Sequence, residues 1–183
     1  MNTPGMLTEN PPMRRLGARY LSWTAYGLWL LAVFLLQMTP RLLPAIGGVR
    51  PLPLIPLVVC VAMFVGPVGG GAIGVAAGLL WDLFSDRLFG FTALLLLVIG
   101  CACGLLVRLL IRNNLLSAML LMTVVLLIHG LADWFFCYAL WGNEEPLWVL
   151  LRLTLPAELY TLLISPLIYG ATLGIARVLK TRE

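Results

Sequence analysis

Gly66-Pro67-Val68-Gly69-Gly70-Gly71-Ala72-Ile73-Gly74-Val75-Ala76-Ala77-Gly78-Leu79-Leu80-Trp81-Asp82 is the stretch that decides how this chain folds. Gly70, Gly74 and Gly78 recur at every fourth position, and Asp82 continues the row. Positions i and i+4 lie above one another on a helix, so the row is a single face. Glycine disfavours helix in water, but in a bilayer it lets a neighbouring backbone approach closely. An acidic side chain at the end of such a groove is costly in lipid and is expected to face protein or a polar cavity. The row predicts a membrane helix that packs tightly against a neighbour.

The composition extends this reading to the whole chain. Apolar residues make up 61% of the 183 positions and charged residues 11%, where a soluble domain carries roughly 25%. Mean hydropathy is +1.01. The net charge of +4 comes from 12 Lys+Arg against 8 Asp+Glu. In a membrane protein such an excess usually sets topology, so it is poor evidence for nucleic-acid binding, and none is assigned. Cys60, Cys101, Cys103 and Cys137 all sit in apolar runs without a Cys-x-x-Cys pair, and read as buried free thiols.

Working outward from the glycine row, the fold class is all-α, a polytopic membrane protein of about six transmembrane helices. Residues 1–19 form a polar tail with Arg14, Arg15 and Arg19 just before the first apolar run, 20–38. That run is long enough for a hydrocarbon core of about 30 Å, and too long for the apolar part of a signal peptide. The second helix, 52–65, opens on Pro51, Pro53 and Pro56, which predicts an irregular, broken start. Gly66-Pro67 is a tight turn, and the glycine-row helix follows at 68–84. The fourth helix, 91–111, carries Gly100 and Gly104, a second small-residue face. The fifth, 115–140, holds His129 and Asp133 one turn apart, with Trp134, Tyr138 and Trp141 as an interfacial aromatic belt. Pro156 is expected to divide 147–179 into an interfacial segment and a sixth helix, 157–178, with Glu158 in its first turn. Pro166 should kink that helix, and Gly170 and Gly174 offer a third close-packing face. A single domain, 20–179, thus lies between the N-terminal tail and a short tail at 180–183.

An even number of spans puts both termini on one side. With cytoplasmic termini, the inner segments hold Arg14, Arg15, Arg19, Arg108, Arg112, Arg177, Lys180 and Arg182, and the outer ones Arg41, Arg50, Arg87 and Arg152. Eight against four favours termini in the cytoplasm. Asp82, His129 and Asp133 then all fall in the outer half. They are the candidate site, a polar cluster for a partner or ligand, in which His129 and Asp133 can pair at i,i+4. The plainer alternative, that these residues cap helix ends or serve packing, weighs more. Catalysis finds little support, because a single histidine has no nucleophile motif, metal-ligand cluster or phosphate loop beside it. No catalytic, cofactor or metal residue is assigned.

Arg50-Pro51, the glycine-rich helix ending Gly78-Leu79-Leu80-Trp81-Asp82-Leu83-Phe84-Ser85, the following Leu88-Phe89-Gly90, and an acid late in the fifth helix, Asp133, resemble the MreD family of rod shape-determining membrane proteins. The resemblance covers roughly residues 50–140 and rests on the order and spacing of short motifs. It implies a non-enzymatic component of the bacterial elongation machinery in the inner membrane. The partners it implies are MreC and, through it, MreB, RodA and a class B penicillin-binding protein. It also implies a fold similar to the substrate-binding subunit of energy-coupling-factor transporters. The alternative function is therefore that of such a subunit, binding a vitamin-type ligand. On either reading Gly70, Gly74, Gly78, Gly100 and Gly104 are the helix-packing or partner faces.

Overall fold

The computed structural model describes residues 12–39, 49–85, 89–110, 114–136 and 146–180. Every regular element among them is helical: α1 (Pro12–Met38), α2 (Leu54–Val65), α3 (Pro67–Asp82), α4 (Phe91–Leu109), α5 (Leu115–Trp134), the single turn α6 (Pro146–Val149) and α7 (Leu155–Lys180). Four stretches are long and apolar enough to cross a membrane: Tyr20–Met38, Phe91–Leu109, Leu115–Trp134 and Leu150–Leu179. The remaining two, α2 and α3, have 12 and 16 residues. At 1.5 Å per residue they reach only about 18 and 24 Å, short of a core of about 30 Å. The first helix also begins earlier than expected, with Pro12 inside the basic tail.

α2 is the hub of the bundle and touches α1, α3, α4, α5 and α7. Its residues from Leu54 to Met63 are all buried, as expected for a helix that is apolar on every side. A buried helix start must satisfy backbone N–H groups that have no intrahelical acceptor. The proline-rich start solves this. Pro51, Pro53 and Pro56 have no N–H to satisfy. Leu52 N–H donates to Thr161 Oγ1 at 2.8 Å, and Leu54 N–H to Gln37 Oε1 at 3.3 Å. Ile55 and Leu57 donate to the carbonyls of Leu52 and Pro53. The expected broken start is thus a sealed one, with Pro51 and Pro53 fully buried.

Gly66, at φ +95°, reverses the chain between α2 and α3. A Cβ on Gly70 would fall on Ala62, so the two helices pack closely beside the turn. α3 then lies along α4, its most extensive neighbour. The facing pairs Pro67–Gly104, Gly70–Gly100, Gly74–Leu96 and Gly78–Ala93 run in opposite directions along the two helices. Added side-chain atoms on Gly70, Gly74 and Gly78 would meet backbone atoms of Gly100, Leu96 and Ala93. The row is therefore occupied by the chain's own α4.

The last helix differs from its sequence expectation in two ways. Pro156 does not divide it: the helix runs on from α6 through a π-wound turn, Leu150–Thr154, into α7. A proline lacks the N–H that an α-turn requires, and the wider turn just before it accommodates that loss. Pro166 lies inside α7, as expected. Gly170 and Gly174, expected to pack closely, are exposed, and nothing lies within 4 Å of a Cβ at either. The face of α7 that packs combines apolar Ile168, Tyr169 and Leu179 with a row of polar residues. Glu158, Thr161, Ser165 and Thr172 are buried at helical spacing, and the three hydroxyls donate to carbonyls of Ala157, Thr161 and Ile168. Thr172 Oγ1 also accepts from Trp29 Nε1 of α1 at 3.1 Å. Leu159, Leu163 and Leu167 project from the opposite face. α1, α4 and α5 present similar outward leucines, such as Leu28, Leu94 and Leu120.

Candidate functional site

The ionisable residues of the glycine-row end gather where α3 and α5 finish and α4 and α7 begin. Phe91 of α4 packs on Phe136 at the end of α5, with ring centroids 5.3 Å apart. Trp81 of α3 packs on His129 of α5 at 5.9 Å. Glu158 of α7 meets His129 from the other side.

Asp82 is buried at the last position of α3. Its Oδ2 accepts from the backbone N–H of Gly90 at 2.8 Å and of Ala93 at 3.3 Å. These are the cap residue and the third residue of α4, so Asp82 caps its neighbour across the turn. A carboxylate suits this place because the unpaired N–H groups of a helix start carry partial positive charge. Gly90 holds φ +90°, a left-handed conformation that favours glycine. Asp82 Oδ1 is buried without a hydrogen-bond partner.

His129 is 3% exposed and faces Glu158, with Nδ1 3.4 Å from Oε1. Its Nδ1 partner is thus on another helix, where the sequence suggested Asp133 one turn along. Asp133 is half-buried on α5. Gly130 makes the Glu158 contact possible: a Cβ there would stand 2.9 Å from Glu158 Oε1 and 3.2 Å from Thr154 Cγ2. The three proposed members therefore separate in role, Asp82 serving α4 and His129 serving α7.

Sequence reasoning missed Glu158 as a partner, because at the start of a predicted helix it looked like a dipole cap. It also missed Thr161, Ser165 and Thr172. The signal was present: polar residues at 158, 161, 165 and 172 share one helical face, while Leu159, Leu163 and Leu167 share the other. Of the predicted packing glycines, Gly70, Gly74, Gly78, Gly100 and Gly104 all sit in the α3–α4 contact or its hairpin turn. Cys60, Cys101 and Cys103 are free thiols, the first and last of them buried. Cys137, Tyr138 and Trp141 lie outside the described residues, as do Arg41, Arg87, Arg112 and Arg182. Among the described residues no group of three or more His, Cys, Asp or Glu is arranged to hold a metal.

A groove of about 650 Å³ opens between α5 and α7. It is lined by Met119 of α5 and by Pro156, Leu159, Leu162, Leu163 and Pro166 of α7, with Tyr160 adding a hydroxyl. The lining is apolar, and the groove is open along one side. No protein-family model, curated protein or solved structure matches this chain. The functional reading therefore rests on its own residues and geometry.

Proposed function

We propose that this chain is a non-enzymatic membrane scaffold that organises partner proteins, in the manner of the MreD family its central motifs resemble. The observation that carries this reading is the open apolar groove between α5 and α7. An apolar, side-open groove fits the apolar face of a membrane helix, read as side chains at helical spacing. A small polar ligand asks for a more enclosed cavity with several convergent polar groups. Three buried polar side chains favour the same reading: Asp82 caps α4, Thr161 seals α2, and His129 meets Glu158.

On this proposal the chain crosses the bacterial inner membrane six times, with α2 and α3 as short crossings and both termini cytoplasmic. The partner helix belongs to MreC, which connects the scaffold to MreB, RodA and a class B penicillin-binding protein. The alternative, a vitamin-type substrate subunit of an energy-coupling-factor transporter, shares the six-helix arrangement.

A photo-reactive residue at Leu163, in the groove, separates the two in native membranes. Leu106 on the outward face of α4 is the matched control. Capture of MreC or other wall-synthesis proteins from Leu163 and not from Leu106 supports the scaffold. Capture of a transporter ATPase module, or equal capture from both positions, overturns it.

A further inference from the structure

We propose that the partner of the α5–α7 groove is a single membrane-crossing helix that runs the full length of α7 and carries an acidic residue level with Arg152. The inference deepens the scaffold reading and rests on it, since it takes the groove as a partner site.

Helical spacing puts Pro156, Leu159, Leu163 and Pro166 of the groove on one face of α7, and Gly170 and Gly174 continue that face. All six are exposed, and nothing lies within 4 Å of a Cβ at either glycine. The face is thus an uncovered track, a groove at one end and a flat glycine strip at the other. From Arg152 to Gly174 it extends about 33 Å at 1.5 Å per residue, which matches a hydrocarbon core of about 30 Å. Glycines at the same spacing in α3 bring the backbone of α4 into direct contact. A strip of this kind admits a helix closely, and on α7 that helix has to come from another chain.

Arg152 stands at the head of the track, in the π-wound turn Leu150–Thr154. α5 is likewise π-wound at Phe135 and Phe136. Turns of this type are rare and occur mostly at functional sites. Arg152 is exposed, and its guanidinium carbon lies 5.5 Å from the centroid of the Trp148 ring. A ring face attracts a cation without cancelling its charge. At the edge of a span, a carboxylate on a neighbouring helix offsets the cost of the arginine through two parallel hydrogen bonds.

The same features disfavour two other occupants. A second copy related by a two-fold axis along the membrane normal would bring its own Arg152 to the same depth, cation facing cation. A lipid acyl chain fills one leaflet, about half of the core, and leaves the glycine strip bare.

The test uses the full chain in native membranes, with photo-reactive residues placed singly at Leu159, Leu163 and Leu167, and the captured species read by mass spectrometry. All three positions should capture one membrane-spanning segment, with the attachment site moving along it by three or four residues at each step. That segment should carry an Asp or Glu level with Arg152. Arg152→Gln and Gly170→Leu should each lower capture from Leu163 by about fivefold or more, with unchanged melting temperatures in detergent. Gly27→Leu on α1, also without a neighbour within 4 Å, should leave capture unchanged. Arg152→Glu should abolish capture, and Lys in place of the partner's acid should restore it. Captured lipid, a segment without an acid, or failure of the charge exchange overturns the inference. If Leu163 captures wall-synthesis proteins equally from wild type, Arg152→Gln and Gly170→Leu, the inference falls and the scaffold stands. If Leu163 captures no more than Leu106, the scaffold reading falls as well.

Discussion

The α3–α4 contact and the α5–α7 contact both join antiparallel helices, yet they are built from opposite materials. Between α3 and α4 one row carries no side chains on the α3 side. Gly70, Gly74 and Gly78 bring one backbone against Gly100, Leu96 and Ala93 of the other, and Asp82 pins the end. Between α5 and α7 one glycine, Gly130, admits a carboxylate, and a buried His–Glu pair holds the crossing. The first contact has no slack, since a Cβ there meets backbone, which cannot move without parting the helices. The second meets the flexible end of Glu158, flanked by π-wound turns and an open groove. The comparison identifies α3–α4 as the rigid part of the molecule and α5–α7 as the adjustable part.

The sharpest way to break this contrast is Gly74→Leu. Its Cβ falls on the Leu96 backbone, so the variant should not form a monodisperse folded species in size-exclusion chromatography. A normal elution profile and melting temperature would refute the close contact. Asp82→Ala comes next. Removing the acceptor of the Gly90 and Ala93 N–H groups should cost about 2 kcal/mol. Hydrogen exchange should speed up first at the start of α4, and uniform acceleration across the bundle would argue against a local cap.

Gly130→Ala probes the adjustable contact at the same level. The added methyl meets the Glu158 carboxylate and Thr154, which can give way, so the loss should stay near about 1 kcal/mol. A loss as large as that of Gly74→Leu would erase the distinction between the two contacts. Gly170→Leu should change stability least, by less than about 0.5 kcal/mol, because nothing within the chain lies near it. A stable variant that fails to retain partners in native membranes would mark the open α7 face as an interface.

Much of the architecture is legible in the residues, and the limits are instructive. The row at Gly70, Gly74, Gly78 and Asp82 reads as a close-packing face because glycine at four-residue spacing has few other uses in a bilayer helix. The same pattern at Gly170 and Gly174 reads identically, and the structure leaves it bare. Spacing reports which residues share a face and is silent on whether another helix covers it. The prolines before α2 marked an irregularity. That they lie in the centre of the bundle, where missing N–H groups are an advantage, depends on Thr161 and Gln37, which are distant in sequence.

The candidate site divides in the same way. His129 stood out because it is a lone histidine in an apolar run, and Asp82 because it ends the glycine row. Glu158, 29 residues from His129, carried no local sign of being its partner. By itself the sequence determined an all-helical chain with apolar stretches able to cross a membrane, and a glycine face that packs closely. These follow from local apolar length and helical period, which neighbours in sequence fix. Only the tertiary structure decided that α4 fills the glycine row, that Asp82 caps a neighbour, and that His129 meets Glu158. Those pairings depend on which helices cross and at what depth, and that is set by packing around α2.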